Sequence, residues 1–403
     1  MPMDGLTLGF VARELEAKLT GGRIDKVTQP EKDALVLAIR SQSQNYKLLL
    51  CASPNNARCH LTWLNYVNPL EPPMFCMLMR KHLLGGRILS IRQEGGDRIL
   101  HIIVENTDEL GRVVHPQLIL EIMGRHSNLT VVDENLRIID AIRHVSGDMS
   151  RLREVLPGLS YLPPPSQDKL PPQALTPQAL LPRLSAQAGP VDKALAALIS
   201  GLSAPAAREL AFRLTGRHKS LMTEMDLPLL ADKLAALAAR LPELSPPVVQ
   251  LDEADVPADV FPFPYLSGDT RHQQPYDSVS RALESFFASR DSVDRMAQKS
   301  ASLHRLLKNH MERCEKKLAL QTEELTNSAR MEEYRIWGEL LTANAYQLKK
   351  GQEIARLVNY YDQGGSTVDI PLDKQLTPVQ NAQKYYKKYQ KAKSKNASIL
   401  IKK

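Results

Sequence analysis

The sequence predicts an α+β protein: a mixed domain on an antiparallel sheet, a small all-helical domain, and an antiparallel coiled coil carrying a small middle module. Three observations point there. Short apolar, β-branched runs at 24–28, 35–39, 46–50, 87–92, 98–105, 117–123, 128–132 and 137–142 follow one another too closely for βαβ units. An Ala- and Leu-rich stretch at 190–240 has helical periodicity. From Ser278 an apolar stripe (Val279, Leu283, Phe286, Val293, Met296, Leu303, Leu307, Met311, Cys314, Leu318, Leu325) keeps three-, four- and seven-residue steps, and no proline interrupts 276–370. The expected boundaries are 1–175 for the mixed domain, 176–242 for the helical one, 243–277 for a Pro-rich linker and 278–403 for the coiled coil and its module.

Taken in order, Leu6, Phe10, Val11, Leu15 and Leu19 share a helix face, and Gly21-Gly22 ends that helix. A second helix at 73–84 ends at Gly85-Gly86. "TGGRIDKV" at 20–27 and "LGGRILSI" at 84–91 read either as a pseudo-repeat or, the favoured reading, as two uses of one helix-to-strand turn. Eight prolines between 157 and 187 mark a spacer rather than a core element. Prolines return between 241 and 277, where Phe261 and Phe263 are placed to pin the chain to a neighbour. A second helical stretch covers 330–349, Gly364-Gly365 makes a turn, and 367–372 reads as a strand. Thr377 as N-cap and Pro378 at the first helical position open a last helix.

The chain has 403 residues and a net charge of +7. Residues 1–150 are neutral, 151–277 carry −2 and 278–403 carry +9. The whole excess therefore lies in the last third, which suits a polyanion partner or a solvated helical face. The four cysteines include no CxxC pair, and Cys51, Cys59 and His60 fit no zinc spacing, so no metal and no cofactor are expected. That cysteine usage suits a reducing cytoplasm. The N-terminus lacks a signal peptide and no run of 18 apolar residues exists, so no membrane partner is expected.

Two polar clusters stand out. Asp97-Arg98 follows Gly95-Gly96 at a turn feeding a strand. Glu121, Ile122, Gly124, Arg125, His126, Ser127 and Asn128 lie at the join of two strands. Arginine offers a planar fork to phosphate or a base edge, and Gly124 lets backbone approach a ligand closely. The same residues also suit a surface turn with an internal Asp–Arg pair. A hydrolase triad of Glu121, His126 and Ser127 fits no nucleophile elbow. "ISGLSAPAARELAFRL" at 199–214 outlines a helix-hairpin-helix with Gly201-Leu202-Ser203 as its turn, although Ser203 stands where a second glycine is usual. Such a turn exposes amides to phosphate, or it is purely structural. In the tail, Lys384, Lys387, Lys388, Lys391, Lys393 and Lys395 interleave with Tyr385, Tyr386 and Tyr389. Lysine neutralises phosphate and tyrosine stacks on bases, unless the tyrosines pack inward.

The motifs "MDGLTL" at 3–8, "PPMFCMLMRKHLLGGRI" at 72–88, "GDRIL" at 96–100, "EIMGRHSNL" at 121–129, "LPGLSYLPPP" at 156–165 and "LTPVQNAQKYYKKYQKAK" at 376–393 together resemble the NFACT family, in the family's order and over nearly the whole chain. The resemblance implies an NFACT-N domain similar to the N-terminal domain of formamidopyrimidine-DNA glycosylases, a helix-hairpin-helix domain, and a coiled coil with a middle domain. Family members continue into an NFACT-R domain, so a chain cut short at Lys403 is expected. The implied function is ribosome quality control: binding an obstructed large subunit (rRNA and stalk-base protein) that still carries peptidyl-tRNA, and recruiting alanyl-tRNA for template-free alanine tailing. Asp97 and Arg98 match the family's tRNA-contacting motif, and Glu121, Ile122 and 124–128 its second functional motif. Peptide-bond chemistry then belongs to the ribosome and the chain is not an enzyme. Two rivals remain. One is a fibronectin-binding surface adhesin, from the family's older name. The other is a glycosylase-like repair enzyme, although Pro2 is here followed by Met3 rather than glutamate.

Overall fold

The computed structural model describes residues 3–150, 152–165 and 167–400; side chains at 289, 291–299, 301–302, 324–329 and 395–400 fall outside the description. Pro2, the nucleophile of the repair reading, lies outside the described residues. The chain forms two compact units, Met1–Asp294 and Arg295–Lys403.

The first unit opens with α1 (Gly5–Leu19), β1 (Arg23–Glu31), β2 (Ala34–Ser41), β3 (Gln44–Cys51) and β4 (Arg58–Leu61). It continues with α2 (Met74–Leu83), β5 (Arg87–Gln93), β6 (Ile99–Thr107), the short β7 (Val113–Val114), β8 (Gln117–Glu121), β9 (Asn128–Val132) and β10 (Ile138–Ala141). These strands make one sheet in the order β10-β9-β8-β6-β5-β1-β2-β3-β4, with β7 on β6. Every pairing in it is antiparallel, as the spacing of the runs predicts. Leu8, Val11 and Leu15 of α1 and Cys76 and Met79 of α2 are buried in its core.

The echo of "TGGRIDKV" in "LGGRILSI" is more than two uses of one turn. Arg23 pairs with Arg87, and the hydrogen bonds around them are reciprocal. Gly21 N–H donates to Ile88 C=O and Gly85 N–H to Ile24 C=O, both at 2.8 Å. Ile24 N–H donates to Gly86 C=O and Ile88 N–H to Gly22 C=O, both at 2.9 Å. Gly21 and Gly85 share φ +81°, a left-handed conformation that glycine adopts without strain. The sheet is thus two related halves, each a helix followed by an antiparallel meander, meeting at β1 and β5.

Two segments differ from expectation. The Pro-rich stretch after 157 is not all spacer: Thr176 caps α3 (Pro177–Ser185), and Leu180 and Leu184 are buried. Proline at the first helical position starts this helix rather than breaking it. α3 packs with α4 (Val191–Leu198), α5 (Ala204–Thr215) and α6 (Leu227–Arg240) around a second core. Nor is 243–277 a linker. It forms a three-stranded sheet of β11 (Val248–Leu251), β12 (Pro257–Phe261) and β13 (Gln273–Pro275) in the order β12-β11-β13. Val249 and Val260 enter the main core, whereas Phe263 and Tyr265 enter the helical core. Phe263 is fully buried, 5.8 Å from the Phe10 ring. This segment staples the two cores together, as the two phenylalanines hinted.

α7 (Val279–Ala329) begins inside the first unit rather than at a domain border. Val279, Ala282, Leu283, Phe286 and Phe287 are buried there, each large apolar side chain contributing about 1.5–3 kcal/mol. Ser280 is locked by Glu14, and Glu284 accepts from Thr62 Oγ1 at 2.7 Å and Trp63 N–H at 2.8 Å.

The second unit holds the rest of α7, then α8 (Met331–Ala343), the hairpin β14 (Ile354–Val358) with β15 (Thr367–Pro371), and α9 (Pro378–Leu400). α9 runs antiparallel to α8: Tyr386 meets Gly338 while Lys388 lies over Tyr334. Leu303, Leu307, Met311 and Leu318 of the α7 stripe are exposed, and Val293, Met296 and Leu325 lie outside the described side chains.

Candidate nucleic-acid interface

β6 and β8 bring the two polar clusters together. Ile99 pairs with Glu121, so the turn before β6 and the loop after β8 emerge at one end of the sheet. Arg98 C=O accepts from Ile122 N–H at 2.9 Å and ties the two directly. At the turn, Asp97 Oδ1 accepts from Arg98 N–H at 2.7 Å, and both side chains are half-buried.

Not every predicted site residue faces outward. Glu121 is 1% exposed. Both its oxygens are taken by the Arg153 guanidinium, and Tyr161 O–H donates to it at 2.8 Å. Burial, then the Glu121 charge, push the Tyr161 hydroxyl well above its ordinary range. Burial works to lower the Arg153 pKa, but the hydrogen bonds and charge of Glu121 hold it raised. Ile122 is buried in the main core. Ser127 Oγ accepts from Met123 N–H at 2.8 Å, which closes the turn that Gly124 opens with φ +58°. Asn128 is buried and brackets Arg143: its Nδ2 donates to Arg143 C=O at 2.8 Å and its Oδ1 accepts from Arg143 N–H at 3.1 Å. The loop thus commits Glu121, Ser127 and Asn128 to its own shape and presents Arg125 and His126 to solvent. No hydrolase geometry results, because Ser127 is spent on backbone.

Arg143 was not singled out from the sequence. Its Nη1 donates to Arg125 C=O at 3.1 Å and its Nη2 to Ala52 C=O at 3.2 Å. It clamps the loop carrying Arg125 against the β3–β4 connection. Nothing in the local sequence marks it; only the fold brings positions 52, 125 and 143 together.

The turn between α4 and α5 is also committed. Gly201 C=O accepts from Gly5 N–H at 2.8 Å, and Ser203 N–H and Oγ both donate to the Asp4 carboxylate. The Ser203 amide, which would meet phosphate in a helix-hairpin-helix, is instead taken by Asp4 at the start of α1. Three glycines allow this: a Cβ on Gly201 would lie 2.0 Å from Gly96 C=O, and one on Gly5 2.2 Å from the same oxygen. The "MDGLTL" and "GDRIL" motifs are two sides of one joint.

In the second unit, Lys384, Lys387, Lys388 and Lys391 line one groove of α9 with Leu376, Gln380 and Gln383. Lys384 also pairs with Asp373 at 2.8 Å, and Lys393 lies over Tyr389. Tyr385 packs inward, its O–H donating to Pro371 C=O, and Tyr386 sits against Gly338. These two rings serve the α8–α9 packing rather than base stacking. Lys395 lies outside the described side chains. Cys51, Cys59 and Cys76 are buried thiols, and among the described residues no group of three His, Cys, Asp or Glu is set to hold a metal. No helix among the described residues is long and apolar enough to cross a membrane.

The family model for NFACT N-terminal and middle domains matches residues 4–402. The Rqc2 homolog RqcH of Bacillus subtilis is 38% identical over 403 residues, covering 99% of this chain and 68% of that protein. Ribosome quality control complex subunit NEMF of Homo sapiens is 30% identical over 138 residues, 34% of this chain and 12% of that protein. The solved N-terminal part of the fibronectin/fibrinogen-binding protein from Streptococcus suis superposes with a TM-score of 0.62 at 34% identity, covering 71% of this chain and 99% of that one.

Proposed function

Since the chain belongs to the NFACT family, we propose that it is a ribosome quality-control factor that engages obstructed large subunits carrying peptidyl-tRNA. In this reading it recruits tRNA, alanyl-tRNA in particular, for template-free alanine tailing, and the ribosome supplies the peptide-bond chemistry. The tRNA contact is made by the surface of Asp97, Arg98, Arg125 and His126. Glu121, Ile122, Gly124, Ser127 and Asn128 shape that surface without touching RNA. The lysine groove of α9 faces rRNA. The supporting observation is the convergence of the two polar clusters through the Arg98–Ile122 hydrogen bond, with two exposed basic side chains beside it.

Co-sedimentation with large ribosomal subunits and labelled tRNA tests this. Asp97→Ala/Arg98→Ala should lose tRNA and keep the subunit; Lys387→Ala/Lys391→Ala should weaken subunit binding and reduce its salt slope by about 2. Wild-type chain that sediments with neither would sink the reading. The similarity to the fibronectin/fibrinogen-binding protein of S. suis favours a second reading, fibronectin capture. That reading requires saturable binding to fibronectin that survives loss of the Asp97–Arg98 pair.

A further inference from the structure

Between β4 and α2 the chain runs through 62–73 as an extended arm without helix or strand, ending on Pro72-Pro73. Tyr66 folds it back onto the face of β2 and β3 that is turned away from the main core, against Ala34, Val36, Leu49 and Cys51. Successive side chains of an extended backbone point to opposite sides. Accordingly Val67 is 90% exposed, Leu70 is fully exposed, and Met74 at the start of α2 follows them into solvent. Apolar side chains grouped on one arm and rimmed by polar residues mark a contact surface. The amides of Val67, Asn68 and Leu70 make no hydrogen bond among the described residues, so the backbone of the arm is open to pairing.

Beneath the arm lies a cleft of about 180 Å³. Lys26 of β1 and Lys47 of β3 both register with Ala38 of β2, so two lysines flank one methyl group. The small side chain leaves the space, and Asn65 and Asn68 of the arm close it. Lys47 Nζ donates only to neutral oxygens, Leu64 C=O at 3.3 Å and Asn65 Oδ1 at 2.6 Å. The Lys26 ammonium has no partner among the described residues, and no carboxylate lines the cleft there. A carboxylate entering it would gain charge-assisted hydrogen bonds from both sides. An RNA strand would take the lysines but leave Val67 and Leu70 in water. An apolar peptide that carries a carboxylate matches both the arm and the cleft.

We propose that the arm and cleft dock an extended apolar segment of a partner protein, with a carboxylate of that segment between Lys26 and Lys47 and its apolar side chains on Val67, Leu70 and Met74. Its backbone pairs with the open amides of the arm, in the manner of strand addition. The surface shares no residue with the proposed tRNA contact, so the docking goes beyond that reading and is tested apart from it.

The test is selection from a library of short synthetic peptides with free C-termini on the full chain, with affinities of the enriched sequences read by fluorescence anisotropy. Enriched peptides should combine leucine, isoleucine or phenylalanine with a carboxylate. Lys26→Ala should weaken them by about tenfold, the loss of one charge-assisted hydrogen bond. Val67→Ser/Leu70→Ser, at two exposed positions, should weaken them by at least about tenfold. Both variants should keep the wild-type Tm and tRNA binding. Amidating the C-terminus tells the two sources of carboxylate apart: a tenfold loss puts the terminal carboxylate in the cleft, and unchanged binding puts an acidic side chain there. No enrichment on wild type over Val67→Ser/Leu70→Ser, or peptide affinity indifferent to Lys26→Ala, overturns the proposal. An oligouridylate that binds wild type but not Lys26→Ala, with no peptide enriched, makes the surface an RNA contact and overturns it as well.

Discussion

Arg153→Met is the most telling perturbation of the site, because it separates shaping the loop from touching RNA. It leaves Glu121, 1% exposed, with Tyr161 alone where a bidentate guanidinium had been. Arg153 itself is only 14% exposed, so water does not readily replace it. Breaking a buried pair from one side costs about 3–5 kcal/mol. At about 2 °C per kcal/mol for a unit of this size, Tm should fall by about 6–10 °C. Glu121→Gln/Arg153→Met removes both charges and lets Tyr161 bond a neutral amide, so it should recover most of that loss. The assay is calorimetry of all four corners of the cycle, with tRNA affinity measured below each transition. A fall under about 2 °C for Arg153→Met alone would refute the reasoning, since the pair would then behave as an exposed one.

Other consequences are simpler to test. Arg143→Ala frees the loop at Arg125 and should weaken tRNA by about tenfold with the salt slope unchanged; a slope reduced by about 1 would make Arg143 a phosphate contact instead. Gly201→Ala would drive a Cβ to within 2.0 Å of Gly96 C=O at a φ of +78°, so it should cost more than about 2 kcal/mol and expose the connection before α3 to proteolysis. His60 is buried with Nε2 accepting from Arg58 and Nδ1 bonded to Leu61 C=O, and burial followed by the Arg58 charge lower its pKa to about 3. The unfolded chain takes up that proton near pH 6.5 and the folded chain does not. The His60 contribution is therefore complete above about 6.5 and is lost as pH falls toward 3, by up to about 1.4 kcal/mol per pH unit. Denaturant midpoints of His60→Gln should vary less than wild type between pH 4 and 6.

Most elements of the mixed domain are legible from periodicity because a half-buried sheet forces apolar residues onto one face. What was illegible depends on distance in sequence. Glu121 looks like a ligand carboxylate until Arg153 and Tyr161, 32 and 40 residues on, are folded onto it. Composition misled at 157–187 and 243–277, where proline density argues for open chain. Yet Thr176-Pro177 carries the same start signal as Thr377-Pro378, and proline suits the edge strands β12 and β13. The coiled-coil stripe was read as one feature, although its first turns belong to the core of the first unit.

The twofold relation between the halves bears on why only one copy carries the proposed site. The spacing that relates Gly21 to Gly85 also relates Gln29 to Gln93 and Asp33 to Asp97. In the first half Gln29 Nε2 donates to Lys32 C=O at 3.1 Å and Asp33 is 2% exposed, so the turn closes on itself. In the second half Gly95-Gly96 replaces Glu31-Lys32, and Gln93 reaches out to Gly5. With no side chain at Gly96, the backbone of Gly201 and Gly5 can sit against it, and the helical core docks there. Both turns are closed by their glutamine, since Gln93 also donates to Asp97 C=O, but only the second is docked on the helical core, with Asp97 and Arg98 half-buried beside the joint. The surroundings of the proposed site are the product of an asymmetry that two glycines introduce into a symmetric sheet, which no inspection of Asp97 and Arg98 alone would disclose.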